Sequence, residues 1–106
     1  LVAQLESAGY VVINALHPNC SISMSATLGK GIIVQAGSCI SAHSTLENGV
    51  VVGSNSVVGC ESVIGAFSHL EAGSLAGEKS VLGKYCKVGM GVVVPKDKKV
   101  KDGSKL

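Results

Sequence analysis

From Ile22 onward an aliphatic residue returns at every sixth position: Ile22, Leu28, Val34, Ile40, Leu46, Val52, Val58, Ile64, Leu70, Ala76, Leu82, Val88, Val94 and Val100. Only Ala76 in this series is small. The next residue is often glycine, as at Gly29, Gly53, Gly59, Gly65, Gly77, Gly83 and Gly89. The residue two positions before the aliphatic one is usually small: Ser38, Ser44, Ser56, Ser62, Ser68, Ser74 and Ser80, with Cys20, Ala26 and Cys86 in the same phase. An amphipathic helix would repeat every 3.6 residues and carry fewer glycines. An antiparallel sheet would not hold one phase through so many units. A chain that bends after each short strand and closes a triangle every three hexads satisfies the pattern. One aliphatic side chain then points inward on each face, and a small residue is tucked beside each corner. Glycine or asparagine falls where the corner needs left-handed backbone angles, at Gly31, Gly37, Gly49, Asn55, Gly73, Gly91 and Gly103.

The fold class this predicts is all-β, a left-handed parallel β-helix (a hexapeptide-repeat solenoid), with a short α/β remnant at the N-terminus. Three hexads per coil place residues 18 apart above one another, so Val34, Val52, Leu70 and Val88 should form one aliphatic ladder. Ile22, Ile40, Val58, Ala76 and Val94 should form a second. At an inter-strand spacing of about 4.8 Å, between four and five coils make a prism roughly 20 to 25 Å long. No hexad carries an insertion. Residues 1–19 are read outside the period, as a linker left from a preceding α/β unit, with the β-helix over 20–106. In that stretch Leu1 to Ser7 reads as the end of a helix, Ala8-Gly9 as its stop and Tyr10 to Asn14 as a short strand, before His17-Pro18 leads into the first coil. At the other end Val100 still holds the aliphatic phase, so a further capping element is expected beyond it.

Composition narrows the picture. One phenylalanine, two tyrosines and no tryptophan cannot supply an ordinary aromatic core, whereas 14 glycines beside abundant Val, Ile, Leu, Ser and Ala suit a repetitive one. With 106 residues the chain has room for about one domain. A formal charge of +2 and a pI near 8.4 are too mild for a nucleic-acid footprint, and Lys96 to Lys101 reads as a solvated charged end. Mean hydropathy is positive, +0.44, yet no apolar run approaches the roughly 18 to 20 residues that span a bilayer. Cys20, Cys39, Cys60 and Cys86 show neither a CxxC pair nor a histidine at finger spacing, so reduced cytoplasmic thiols and no metal are expected. Cys20 and Cys86 fall in the small inward phase and read as core residues.

The candidates for chemistry are His17, His43, His69, Glu47, Glu61, Glu71 and Glu78. His17, before a proline, reads as structural, and His43 as a solvated corner residue. His69 precedes the inward Leu70 and must therefore point out from a flat face, with Val51 below it and Lys87 above.

The run Val63-Ile64-Gly65-Ala66-Phe67-Ser68-His69-Leu70, continuing through Gly73 to Ala76-Gly77, resembles the acetyl-CoA-binding coil of the sialic acid O-acetyltransferase and UDP-amino-sugar N-acetyltransferase family. The segment Ala15-Leu16-His17-Pro18-Asn19 is similar to that family's link from a nucleotide-sugar-binding domain into its β-helix. The resemblance implies an acetyl-CoA-dependent acyltransferase acting on a hydroxyl or amine of a sugar or amino sugar, with His69 and Gly77 as cofactor-binding residues. It places the family's catalytic histidine at Cys60 and the acid that orients it at Glu61, so the acid is kept and the base is not. A thiol is a nucleophile rather than a good proton acceptor. Either Glu61 or a water then takes the proton, or transfer is slow or absent.

Outward-phase Val51, Val57, Val63 and Val81 leave flat aliphatic faces to be covered, which predicts a homotrimer of parallel prisms. Two further readings compete. One is a non-catalytic trimerising or scaffold module. The other, a γ-class carbonic anhydrase on the same scaffold, is disfavoured because no His-x4-His pair is present.

Overall fold

The computed structural model of the chain describes residues 14–106. Fifteen strands of two residues each follow one another at the spacing of the hexads. They are β1 (Ala15–Leu16), β2 (Ser21–Ile22), β3 (Thr27–Leu28), β4 (Ile33–Val34) and β5 (Cys39–Ile40). Next come β6 (Thr45–Leu46), β7 (Val51–Val52), β8 (Val57–Val58), β9 (Val63–Ile64) and β10 (His69–Leu70). The last are β11 (Leu75–Ala76), β12 (Val81–Leu82), β13 (Lys87–Val88), β14 (Val93–Val94) and β15 (Lys99–Val100). Every third strand joins the same sheet, which gives three faces of five parallel strands. The first face stacks β1, β4, β7, β10 and β13; the second, β2, β5, β8, β11 and β14; the third, β3, β6, β9, β12 and β15.

Register follows the 18-residue arithmetic. Val34, Val52, Leu70 and Val88 are successive partners, and so are Ile22, Ile40, Val58, Ala76 and Val94. Leu28, Leu46, Ile64, Leu82 and Val100 make the third ladder. Most of these side chains are sealed, with Val52, Val58, Ile64, Leu70 and Val88 at 0% exposure. Ile22 and Leu28, in the first coil, are only partly buried. Ile32 and Val50 join the core from the phase that mostly holds small residues, so the corner between the third and first faces is filled with bulk in its lower coils and by Ser68 and Cys86 in its upper ones.

β1 extends the first-face ladder below Val34, pairing Leu16 with Val34. The helical and strand elements expected within residues 1–13 lie outside the described residues. Backbone bonding continues around the corners: Gly37 N–H donates to Asn19 O at 2.8 Å, Asn55 to Ala36 at 2.9 Å and Gly73 to Ser54 at 2.9 Å. Each corner thus rests on the one beneath, and the polar backbone is satisfied where the strands stop. The expected left-handed corners are present at all six glycines and at Asn55, with φ between 58° and 75°. His43, Glu61, Phe67, Lys79, Tyr85 and Asp97 adopt the same angles in the same phase without being glycine.

Candidate functional site

Cys60 and Glu61 turn the corner between β8 and β9, and both are exposed. The corner geometry fixes them from above and below. Lys79 N–H donates to Cys60 O at 2.9 Å, and Glu61 N–H donates to Ala42 O at 2.9 Å. Glu61 has φ 58°, as does His43, which stands directly beneath it in the column one coil down. The histidine that this fold stacks in the column of Glu61 is therefore His43. The His43 backbone N–H donates to Ser25 Oγ at 3.1 Å, and the residue is exposed. The sequence carried this signal, since 43 and 61 differ by one full coil, but His43 considered singly reads as a solvated corner.

Gly77 occupies the same corner, above Gly59. A Cβ at Gly77 would come within 2.5 Å of Val94 O and 2.7 Å of Lys96 N. The close passage of the next coil by itself requires a glycine here.

His69 lies on the first face, between Val51 and Lys87 as its phase demands, and is exposed. Beside it Glu71 Oε1 meets Lys87 Nζ at 3.1 Å. That Lys87 hydrogen bond holds the Glu71 carboxyl below the ordinary carboxylate range, helped by the charges of Lys87 and His69. Preceding His69, Phe67 turns the corner between the third and first faces with φ 61° and stacks on Tyr85, ring centroids 5.4 Å apart and planes at 14°.

The first face lies opposite the corner between the second and third. One chain therefore groups His43, Cys60, Glu61 and Gly77 in one place and holds His69 in another. A groove of about 460 Å³, lined by Thr27, Thr45, Glu47, Asn48, Ala66 and Lys84, runs by the corner between the third and first faces; of the candidates for chemistry it contains Glu47 alone, and none of Cys60, Glu61, His69 and Gly77. Among the described residues no group of three or more His, Cys, Asp or Glu could hold a metal ion, and no helix is long and apolar enough to cross a membrane.

No protein-family model matches the chain, and no curated protein matches it in sequence. Solved structures do match. A mutant of perosamine N-acetyltransferase from Caulobacter crescentus, in complex with CoA and GDP-perosamine, is 24% identical with a TM-score of 0.76, over 97% of this chain and 57% of that one. The acetyltransferase domain of PglB from Neisseria gonorrhoeae is 24% identical with a TM-score of 0.79, over 98% of this chain and 58% of that one. PerB from Caulobacter crescentus, with CoA and GDP-perosamine, is 29% identical with a TM-score of 0.52, over 98% and 53%. The chain thus spans a little over half the length of the structures it matches. Taken with the three five-stranded parallel sheets and the 18-residue register, these likenesses show the fold, which is the left-handed parallel β-helix of hexapeptide-repeat acetyltransferases.

Proposed function

We propose that the chain is the prism of an acetyl-CoA-dependent acyltransferase that acetylates a hydroxyl or amine of a sugar or amino sugar. The observation that carries this reading is the likeness, over nearly the whole chain, to two acetyltransferase folds, one of them a perosamine N-acetyltransferase solved with CoA and GDP-perosamine. Residues 1–19 serve as the link to a sugar-holding unit and 20–106 as the β-helix, with β1 already part of the first coil.

Bound acetyl-CoA supplies the acetyl group as a thioester. The attacking hydroxyl or amine must shed a proton, a role that a general base near neutral pH supports by about 10² to 10⁴ in rate. His43 takes that proton, with Glu61 above it as the orienting acid and Cys60 beside them in the wall of the site. His69 and Gly77 contact the cofactor. Because His69 stands on the opposite face, the complete site needs a second copy, which a homotrimer of parallel prisms provides. A non-catalytic trimerising module is the second reading, favoured by that same separation and by the thiol at position 60.

Isothermal titration with acetyl-CoA separates the two readings, since a scaffold binds none. In a transfer assay with amino-sugar acceptors, His43→Ala should lower kcat by about 10² or more while acetyl-CoA still binds. Cys60→His should raise transfer by adding an imidazole beside Glu61, and His69→Ala should weaken acetyl-CoA binding without unfolding the prism. Absence of both binding and turnover in the unaltered chain would reject the acyltransferase reading.

A further inference from the structure

We infer that Asn48–Gly49 is a hydrolytic modification site, shut by a backbone clamp to Lys30 and opened when the first coil lifts away. Asn48 is the one asparagine in the chain that a glycine follows. Asparagine is chemically labile on heating, and a glycine after it leaves the next backbone nitrogen without a Cβ to shield it. Asn48 is exposed, so water reaches its amide. Both reacting groups are nevertheless tied, and to the same residue one coil below. Asn48 Oδ1 accepts Lys30 N–H at 2.8 Å, and Gly49 N–H donates to Lys30 O at 2.9 Å. Gly29 makes room for this, since a Cβ there would meet Asn48 Oδ1 at 2.5 Å. The same clamp recurs higher at the same corner, where Lys84 N–H donates to Asp102 Oδ1 at 2.8 Å and Gly103 N–H to Lys84 O at 2.7 Å. There an aspartate does over Lys84 what Asn48 does over Lys30.

Release of the clamp starts the reaction. The Gly49 nitrogen, deprotonated by hydroxide, attacks the Asn48 side-chain carbonyl carbon; a C–N bond forms, the side-chain amide nitrogen leaves as ammonia, and a cyclic succinimide results. Water then adds to a ring carbonyl and breaks the bond from that carbonyl to the Gly49 nitrogen. Opening at the side-chain carbonyl leaves aspartate, and opening at the main-chain carbonyl leaves isoaspartate. Aspartate fits the corner, as the Asp102 clamp demonstrates. Isoaspartate runs the main chain through Cβ, which lengthens the corner and takes Gly49 out of register with Lys30. The gate is the first coil. Its Ile22 and Leu28 are only partly buried, whereas Leu46, Val52 and Ile64 above them are sealed at 0% exposure. Gly49 N–H reaches down to this coil, while Glu47 N–H donates upward to Ile64 O at 3.0 Å. Lifting the first coil therefore frees one amide and leaves the other bonded, an opening that needs less than global unfolding. Isoaspartate would then hold that coil off the prism. Loosening of the link to a sugar-holding unit would follow, a consequence that rests on the proposed function, whereas the site does not.

The test incubates the full chain at mildly alkaline pH and follows aspartate and isoaspartate at position 48 by peptide mass spectrometry, with the urea-unfolded chain as reference. We expect the folded chain to convert at least about tenfold more slowly than the unfolded one. Leu28→Ala, at the lower end of the third ladder, should speed conversion by about fivefold or more, whereas Val100→Ala, at its upper end, should change it by less than about twofold. Should Leu28→Ala fail to fold, amide exchange in the unaltered chain reads the same gate. Corrected for intrinsic rates, Gly49 N–H should exchange at least about tenfold faster than Glu47 N–H. Asn48→Asp should keep its Tm within about 2 °C of the unaltered chain, and a larger fall would overturn the equivalence of the two clamps. Equal conversion in folded and unfolded chains, or none at position 48 in either, overturns the site. Equal acceleration by Leu28→Ala and Val100→Ala, or equal exchange of the two amides, assigns the opening to the whole prism and overturns the first-coil gate. None of these results touches acetyl-CoA binding, so the acyltransferase reading stands or falls on its own titration.

Discussion

At the scale of the single residue, what recurs is a buried serine whose hydroxyl closes the corner. Ser38 Oγ donates to Gly53 O at 2.7 Å, Ser56 to Glu71 O at 2.9 Å and Ser68 to Gly83 O at 2.8 Å. Ser68 Oγ also accepts Cys86 N–H at 3.1 Å, so two buried backbone groups depend on it. Ser80 is equally buried, yet its hydroxyl has no partner among the described residues. A lost hydroxyl matters by the groups it strands, not by its own burial. Ser68→Ala should therefore destabilise the prism by about 1 to 3 kcal/mol, while Ser80→Ala should stay within about 0.5 kcal/mol or stabilise slightly. Chemical denaturation of the two variants side by side checks this; equal losses would mean that volume, not hydrogen bonding, dominates the phase.

A single two-residue strand has no stability of its own, and each exists through the strands above and below it. Leu70 sits between Val52 and Val88 at 0% exposure, with no room for water beside it. Leu70→Asp would place an unpaired carboxylate there and should cost several kcal/mol, whereas Lys84→Asp at an exposed corner should stay within about 0.5 kcal/mol. Comparable melting temperatures for the two would contradict the register. That register was fully legible in the sequence, because each coil imposes the same demand at the same phase. Even β1 lay within reach: stepping back six from Ile22 gives Leu16. The site was less legible. Hexads look alike on all three faces, so residues nine apart, such as Cys60 and His69, read as neighbours while the fold sets them on opposite sides. Residues a full coil apart share a column without a local motif to announce it, as His43 and Glu61 do, or Phe67 and Tyr85, whose rings stack. Gly77 drew a cofactor role from its neighbours in sequence, yet the coil overhead already accounts for a glycine there.

Over the whole molecule the three faces differ in what they offer a partner. Outward positions on the second face are Ser21, Cys39, Val57, Leu75 and Val93, without a charge from bottom to top. The first face ends in His69 and Lys87, and the third ends in Lys99. Val93 is 60% exposed, and Met90, at the adjoining corner, 72%. The second face is accordingly the one whose burial against another copy strips water from apolar surface without desolvating an ion. Charge opposes that association in a particular way. Parallel prisms bring their lysine-rich upper coils side by side, whereas antiparallel ones would set basic coils against acidic ones. Salt screens both interactions over about 8 to 10 Å at physiological strength. The proposed parallel homotrimer should therefore tighten as salt is raised, while an antiparallel assembly should loosen. Leu75→Lys, in the middle of the second face, should yield monomers whose circular dichroism matches that of the unaltered chain. Sedimentation velocity at micromolar concentration across a salt series reads both effects. A monomer in the unaltered chain, or an assembly that loosens with salt, would remove the parallel trimer and with it the means of bringing His69 to the His43–Glu61 corner.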